Sequence, residues 1–231
     1  MVTLYYEVEG DGDPVVLLHG GMYGSEAWAM QRPALVEAGY RVFLPDRPGH
    51  GRTPDIDGPW TYEQMARDTI GFLDEVVGTK AHLIGWSDGA YVAALLAAER
   101  PDLVDRMVLI GQYFAPEGAT GDLLTELAGF RTDPPEGVRR EVVEKSFDLW
   151  SKEPTIPLSV FAGFEAPVLV LQGDFDEVSV EHSHAVASAI PQGRLAVLPG
   201  THVLPLENPA LVNALLISFL QGDAPRKIAL S

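Results

Sequence analysis

Residues 82–98 read HLIGWSDGAYVAALLAA, and this stretch indicates how the rest of the chain is folded. It begins with a short apolar run, His82–Gly85, of the length and composition of a buried strand. After Gly89 it continues as a helical pattern with alanines small enough to lie close against a sheet, namely Ala90, Ala93, Ala94, Ala97 and Ala98. The pentapeptide G-x-S-x-G separates the two. A strand, a tight glycine turn and a helix in this order typically expose a serine nucleophile.

The serine of this pentapeptide, Ser87, has two interpretations. The three fixed residues alone would occur about 0.1 times by chance in a chain of this composition, so the surrounding strand and helix carry the argument. With that context we predict a nucleophile on a strained turn that only glycines can accommodate. The alternative is a glycine-rich turn in which Ser87 merely caps the helix.

Apolar runs of strand length alternate with helical patterns along most of the chain. The predicted strands are Leu4–Val8, Val15–Leu18, Arg41–Leu44, His82–Gly85, Met107–Ile110, Val168–Leu171 and Leu195–Leu198. The predicted helices are Pro33–Ala38, Thr61–Val77, the segment between Ser87 and Pro101, Glu181–Ala189 and Pro209–Leu220. Continuously apolar strands are typical of a parallel sheet that is covered on both faces. We therefore predict an α/β fold with a doubly wound, mostly parallel sheet.

Residues 115–165 interrupt this alternation. They contain only two helical patterns, Asp122–Phe130 and Glu136–Trp150, separated by Asp133-Pro134-Pro135. An insertion of about fifty residues between two strands is usually a lid or a binding element. We predict one domain, in which residues 1–114 and 166–231 form the core and residues 115–165 form a short helical cap.

The composition excludes several classes of protein. The chain has 231 residues, of which 46% are hydrophobic and 21% charged, so a disordered chain is excluded. Its 16 Lys and Arg against 33 Asp and Glu give a formal charge of −17. Such a charge repels phosphate, so we expect neither a nucleic-acid nor a membrane partner. The absence of cysteine excludes disulfides, thiolate metal sites and cysteine nucleophiles.

No targeting segment is apparent in the sequence. The first residues lack the basic start and the apolar stretch of a signal peptide. The longest apolar run, Asn208–Gly222, is too short and too polar to span a bilayer, and it begins with the Asn-Pro pair typical of a helix start. We expect a soluble, cytoplasmic protein.

A serine nucleophile needs a base, and the base needs an acid that orients it. The predicted strand Val168–Leu171 is followed by Asp174 and Asp176, and the strand Leu195–Leu198 is followed by His202. The carboxyl ends of parallel strands meet at the edge where sites form in open sheets. His202 is therefore the candidate base, and either aspartate is a candidate acid.

Over essentially its whole length the chain resembles the serine hydrolases of the α/β-hydrolase fold. The motifs that carry the resemblance are His19-Gly20-Gly21, Asp46–Arg52, Gly85–Gly89, Gly173–Asp176 and Pro199–His202. The resemblance implies that Ser87 is the nucleophile, that His202 is the general base and then the acid, and that Asp176 is the orienting carboxylate. In this family the acid falls a few residues past the strand, which favours Asp176 over Asp174.

The resemblance also implies an oxyanion hole of two backbone N–H donors. One should belong to Asp88, and the other to Gly21 or Met22. The elbow is moreover similar to that of valacyclovir hydrolase-like esterases, in which the acid after the nucleophile is associated with holding the α-amino group of the substrate. Asp88 could hold an amine in this way, or it could point to solvent or cap the following helix.

The activity implied by the resemblance is carboxylesterase-type hydrolysis of small carboxylic esters, including aminoacyl esters, through an acyl-enzyme on Ser87. Haloalkane dehalogenases and epoxide hydrolases are excluded because they use Asp at the elbow. Carbon–carbon bond hydrolases, lactonases and perhydrolases on the same triad remain alternatives. So does a non-hydrolytic ligand sensor of this fold.

Candidate substrate-binding residues lie at the elbow and in the cap. At the elbow they are Trp86 and Asp88. In the cap they are the aromatic residues Phe130, Phe147, Trp150 and Phe161. For at least half of the cap residues, ordinary packing onto the sheet is the competing interpretation.

The remaining histidines predict no metal site. His19 and His50 lie in family loop motifs and His82 heads a strand, so we expect structural roles. His182 and His184 are two residues apart on a predicted helix and do not share a face. Neither a G-x-G-x-x-G motif nor a P-loop is present, so we expect no cofactor. The resemblance implies a small-molecule ester as the partner.

Overall fold

A seven-stranded sheet organises the chain in a computed structural model that describes residues 2–120, 123–152 and 155–222. The strands are β1 (Tyr6–Glu9), β2 (Asp13–Leu18), β3 (Tyr40–Pro45), β4 (Ala81–Trp86), β5 (Val104–Ile110), β6 (Val168–Gly173) and β7 (Gly193–Leu198). Their order is β1-β3-β2-β4-β5-β6-β7, and β1 runs antiparallel to β3 while the other pairs are parallel. The predicted strands and the α/β fold are confirmed.

Helices connect these strands. They are α1 (Arg32–Glu37), α2 (Tyr62–Phe72), α3 (Asp88–Glu99), α4 (Leu123–Thr132), α5 (Arg140–Lys152), α6 (Leu158–Phe161), α7 (Val180–Ala189), α8 (Leu204–Glu207) and α9 (Pro209–Gln221). Short 3₁₀ turns occur at Ser25–Trp28, Pro101–Leu103 and Pro116–Gly118. Within the described ranges, no helix combines the length and apolar character needed to cross a bilayer.

Two helices show where local sequence rules succeed and fail. The Thr61 hydroxyl caps α2 by accepting a hydrogen bond from the Gln64 N–H at 3.2 Å, and the helix continues as a π-helical turn that ends at Gly78. The prediction that α5 begins at Glu136 is wrong, because Gly137 has a left-handed φ of 80° and residues 136–139 form a turn and loop. The predicted start of α4 at Asp122 lies outside the described residues.

Helices cover both faces of the sheet, so alternate residues of the central strands face two different cores. In β2, Val16 and Leu18 pack in the cluster that contains α2 and α3, while Val15 and Leu17 pack in the cluster that contains α1 and α9. All four side chains are fully buried. The predicted C-terminal helix thus lies on the core as α9, and burial of apolar surface on both faces stabilises the sheet.

The strand order fixes where a site can form. β2 pairs with β3 on one side and with β4 on the other. The connection from β2 leads to β3 and the connection from β4 leads to β5, so the two connections run in opposite directions along the sheet. In open α/β sheets a crevice opens at the carboxyl ends of two such strands. Here the loop after β2 and the turn at Ser87 after β4 border this crevice. Along the chain, α4, α5 and α6 belong to the connection from β5 to β6.

Two glycines let α3 pack directly on the sheet at this turn. A Cβ on Gly89 would lie 2.0 Å from the carbonyl oxygen of Leu18, and one on Gly85 would lie 2.3 Å from the carbonyl oxygen of Gly89. Both obstacles are backbone atoms and cannot rotate away. The predicted close packing of α3 is seen at Ala90, Ala93, Ala94 and Ala97, whereas Ala98 is exposed.

We expect Gly89→Ala to lower the free energy of unfolding by about 3 kcal/mol or to abolish folding, because the new methyl group meets the β2 backbone. The matched control is Gly129→Ala on α4, where nothing lies within 4 Å of the added Cβ. It should raise that free energy by about 0.5–1 kcal/mol through helix propensity. Urea denaturation of both variants measures the difference, and similar midpoints would contradict this account of the turn.

Candidate active site

Ser87 occupies the sharp turn between β4 and α3. Its φ of 52° and ψ of −123° are strained for an L-residue. The Ser87 N–H donates to the carbonyl of Ile110 in β5 at 2.8 Å, and the Ser87 carbonyl accepts from the N–H of Ala90 at 2.8 Å. Ser87 is the N-cap residue of α3, but its side chain makes no capping hydrogen bond, so the interpretation of a serine whose hydroxyl merely caps the helix is wrong.

Three side chains form a hydrogen-bonded chain at the ends of β4, β6 and β7. The Ser87 Oγ lies 3.0 Å from His202 Nε2, and His202 Nδ1 lies 2.9 Å from Asp176 Oδ1. The Asp176 side chain is only 1% exposed. This is the geometry by which an acid orients a base against a nucleophile. The fold thus brings together the three residues that the sequence proposed for this arrangement.

The rival acid, Asp174, has another contact. Its Oδ1 accepts a hydrogen bond from the Gly200 N–H at 2.9 Å, and its own N–H donates to the carbonyl of Leu198 at 2.9 Å. Asp174 therefore joins the loop after β6 to the loop that carries His202. It shapes the turn, while Asp176 contacts the imidazole.

Trp86 precedes the serine and supports the histidine. Its indole Nε1 donates to the backbone carbonyl of His202 at 2.8 Å, and the two ring centroids are 6.2 Å apart. Since Trp86 is 1% exposed and belongs to β4, it ties the His202 loop to the rigid sheet.

The surroundings of His202 raise its pKa above the usual 6.5. Burial opposes this by disfavouring the imidazolium, but the hydrogen bond and the charge of Asp176 favour it, as do the charges of Glu177 and Asp88. The protonated form that arises when His202 accepts a proton is therefore stabilised.

Arg47 braces the loop after β2, although no sequence argument assigned it a role. Its guanidinium donates to the carbonyls of His19 and Gly20, the latter at 3.0 Å, and its backbone N–H donates to His19 Nε2 at 3.0 Å. Burial lowers the pKa of Arg47, and the Asp88 charge opposes that change. These hydrogen bonds hold the loop that continues into Gly21 in place.

The histidines of this region have the structural roles predicted for them. Burial and the Arg47 charge hold the pKa of His19 well below its usual range, and the same two causes lower the pKa of His50 to about 3. His82 is buried in β4 and lies 3.4 Å from Asp105. Within the described ranges, no three His, Asp or Glu side chains cluster as a metal site would require.

Two strained backbone positions border the space in front of Ser87. Among the described residues, Met22 and Ser87 are the non-glycine residues with positive φ, at 64° and 52°. Such strain persists only where the surroundings impose it, and it clusters at functional sites. Both residues line one cavity together with Gly21 and Asp88. Asp88 is the first residue of α3, where a helix leaves backbone N–H groups without an intrahelical acceptor.

Asp88 lines this cavity and, as a residue, is 3% exposed. Its Oδ1 accepts hydrogen bonds from the Tyr62 hydroxyl at 2.7 Å and from Trp150 Nε1 at 2.9 Å. These donors belong to α2 and α5. The interpretations of Asp88 as a solvent-facing or helix-capping residue are therefore wrong.

The cavity has a volume of about 680 Å³ and lies between the core and the insertion. Trp86, Asp88, Phe130 and Trp150 line it, as the sequence predicted. Loop residues 135–138 of the insertion also line it. The insertion thus covers the strand ends at Ser87.

Two predicted substrate-binding residues do not line the cavity. Phe161 is fully buried, with its ring centroid 4.9 Å from that of Phe114 and 5.2 Å from that of Phe164. Phe147 lies under the Arg131 guanidinium, which is 4.8 Å from its ring centroid. Both predictions are corrected, because aromatic composition does not reveal which face of a helix meets the cavity.

Several cavity residues were not predicted, among them Tyr62, Gln112, Tyr113, Phe175 and Glu177. The rule that sites form at strand ends could have found Gln112 and Tyr113, which directly follow β5. Burial, with the charges of Asp88 and Glu177, raises the pKa of Tyr113 to about 12, so its phenol stays protonated. No local signal marked Tyr62, whose role depends on tertiary packing of α2.

Comparison with known proteins agrees with this fold. Residues 15–215 match the model of the alpha/beta hydrolase family, and the chain belongs to that family. The resemblance to this family and its fold, stated from the sequence, is confirmed at this level.

Among curated relatives, the putative carbamate hydrolase RutD of Variovorax paradoxus (strain S110) is 40% identical over 118 residues, which are 50% of this chain and 44% of that protein. The serine hydrolase BPHL of Homo sapiens is 35% identical over 116 residues, or 48% and 40% of the two chains. Both matches thus span less than half of the relative's length. Among solved structures, a bromoperoxidase from Bacillus anthracis has a TM-score of 0.82 at 27% identity, with 96% of each chain covered.

We expect the His202 imidazole to titrate above 6.5 and Asp176→Asn to lower its pKa, because the variant removes the charge that favours the imidazolium. The matched control is Asp174→Asn, which removes an equal charge from a side chain bonded to Gly200 rather than to His202. Histidine side-chain NMR during a pH titration measures both. A larger fall in the Asp174 variant would mean that the acid is misassigned.

Proposed function

We propose that the chain is a serine esterase that cleaves small carboxylic esters through an acyl-enzyme on Ser87. The observation that carries this proposal is the chain of hydrogen bonds from Asp176 to His202 to Ser87, at 2.9 and 3.0 Å, beside a cavity of about 680 Å³. The relative BPHL of Homo sapiens, a serine hydrolase, supports the same class of mechanism.

In the acylation half of this reaction, the Ser87 Oγ attacks the ester carbonyl carbon while His202 Nε2 takes the hydroxyl proton. Charge develops on the carbonyl oxygen, and the backbone N–H groups of Asp88 and of Gly21 or Met22 stabilise it. The imidazolium then donates its proton to the alcohol oxygen, the carbon–oxygen bond of the ester breaks, and the acyl group stays on Ser87.

In the deacylation half, a water molecule attacks the acyl carbon and His202 Nε2 takes its proton. The tetrahedral intermediate uses the same N–H donors and collapses to release the carboxylic acid, returning the proton to the Ser87 Oγ. Asp176 holds the imidazole in one orientation throughout, because its Oδ1 accepts from Nδ1.

We further propose that the preferred acyl groups carry an α-ammonium that Asp88 binds. Its Oδ1 is occupied by Tyr62 and Trp150, whereas Oδ2 accepts no hydrogen bond from the described residues. Glu26, Glu136 and Glu177 also line the cavity, and no Lys or Arg of the described chain does. A carboxylate in a partly desolvated cavity attracts an ammonium group more strongly than it would in water.

Ser87→Ala is expected to remove essentially all ester hydrolysis, since the hydroxyl carries the covalent step. Turnover of p-nitrophenyl acetate and butyrate measures the loss, and circular dichroism checks that the fold is unchanged. A fluorophosphonate probe should label the wild type and not the variant.

Two results would contradict the proposal. Retention by Ser87→Ala of more than a few per cent of the activity would remove Ser87 from the mechanism. A labelled Ser87 that gives only one equivalent of product would instead favour the ligand-sensor alternative.

Asp88→Asn should reduce kcat/KM for α-aminoacyl esters by about ten- to thousandfold, or about 1.4–4 kcal/mol, because it removes the charge and keeps the backbone N–H. The loss on N-acetylated analogues should be much smaller. Asp11→Asn, which removes an equal charge from an exposed turn, is the control for long-range attraction. Steady-state kinetics at low and high salt separate the two effects.

Equal losses on charged and neutral esters would show that Asp88 shapes the elbow instead of binding an amine. Equal losses in Asp88→Asn and Asp11→Asn would show that the overall charge of −17 attracts the substrate.

A further inference from the structure

Phe175 is an exposed aromatic side chain beside the candidate triad. It stands between Asp174 and Asp176, it is 81% exposed, and it lines the cavity. A single exposed apolar residue is common on protein surfaces and does not by itself indicate a function. For Phe175 the argument rests on its rigidly held backbone and on its position relative to His202.

The backbone around Phe175 is held in place. The Phe175 N–H donates to the carbonyl of Gly200 at 3.0 Å, and the Gly200 N–H donates to Asp174 Oδ1 at 2.9 Å. On the other side, the Thr120 N–H donates to the carbonyl of Glu177 at 2.8 Å. The exposure of the ring is therefore not the result of a loose loop, and the ring has a fixed attachment beside the His202 loop.

The position of His202 identifies which part of an ester would meet Phe175. His202 Nε2 must protonate the departing alcohol oxygen, so the alcohol lies on the His202 side of Ser87. Other apolar or aromatic residues of the cavity lie near His202. Val203 is next to His202 in the chain, and the Trp86 ring centroid is 6.2 Å from that of the imidazole. The Trp86 ring in turn lies 5.1 Å from the ring of Tyr23. The amine site at Asp88 is instead bounded by α2 and α5.

We propose that Phe175 binds the alcohol portion of the ester and that the site selects aromatic or other flat apolar alcohols. The proposal rests on the proposed esterase function. A flat apolar alcohol that stacks on the exposed ring removes both surfaces from water, and aromatic pairs gain further from their ring geometry. The alcohol leaves before deacylation, so this contact acts on binding and acylation only.

The test compares benzyl acetate with methyl acetate in the wild type, Phe175→Ala and Phe175→Leu. We expect Phe175→Ala to lower kcat/KM for benzyl acetate about five- to twentyfold and for methyl acetate less than about twofold. Phe175→Leu should fall between, because it restores apolar area without an aromatic face. The inhibition constant of benzyl alcohol should rise in parallel. Leu211→Ala, a half-exposed residue of α9 away from the cavity, is the control and should match the wild type.

The rate of deacylation distinguishes this role from a structural one. Both acetates form the same acetyl-enzyme, so the deacylation rate constant from pre-steady-state bursts should be unchanged in Phe175→Ala. Equal losses on both acetates, or a slower deacylation, would show that Phe175 only shapes the acid loop and would overturn the proposal. Wild-type turnover that persists in Ser87→Ala would refute the esterase function itself, whereas Ser87-dependent turnover with an unchanged benzyl-to-methyl ratio would refute only the role of Phe175.

Discussion

The candidate site depends on one close approach, in which the start of α3 lies against the backbone of β2 and β4. Gly85 and Gly89 make this approach possible, because a Cβ at either position would lie within 2.3 Å of a backbone atom. The approach forces Ser87, between them, into a φ of 52°, and strand pairing through Ile110 holds it there. Ser87 directly follows β4, at the edge of the sheet where the loops after β6 and β7 supply Asp176 and His202. The approach also places Asp88 at the first position of α3, directly after the serine.

A second constraint is the buried charge of Asp88 next to the nucleophile. Burial of a carboxylate is costly unless it is hydrogen-bonded and its charge is balanced. Tyr62 and Trp150 supply the hydrogen bonds, and the buried Arg47 guanidinium interacts with the Asp88 charge, which opposes the lowering of the Arg47 pKa by burial. Because Tyr62 comes from α2 and Trp150 from α5, one carboxylate joins the core, the insertion and the elbow. The cavity at Ser87 is thereby bordered by the core and by the insertion, and Glu26, Glu136 and Glu177 line it besides Asp88.

The sequence predicted what depends on local pattern and strand order, and it failed where tertiary packing decides. Apolar runs located every strand, and Ser87, Asp176 and His202 each follow a strand whose carboxyl end lies at the same edge of the sheet. Periodicity could not distinguish the faces of the insertion, so Phe147 and Phe161 were assigned to a cavity that they do not reach. The partners of Asp88 were likewise invisible, because Tyr62 and Trp150 are 26 and 62 residues away along the chain.

The most direct test of the central claim is to observe the covalent intermediate on the serine. Wild-type protein mixed with p-nitrophenyl butyrate, quenched in acid within milliseconds and digested, should give a butyrylated peptide that contains Ser87. Its amount should approach one per chain and decay at the rate of turnover. Continued turnover with no acylated peptide at any time, or acylation of a different residue that keeps pace with turnover, would contradict the mechanism.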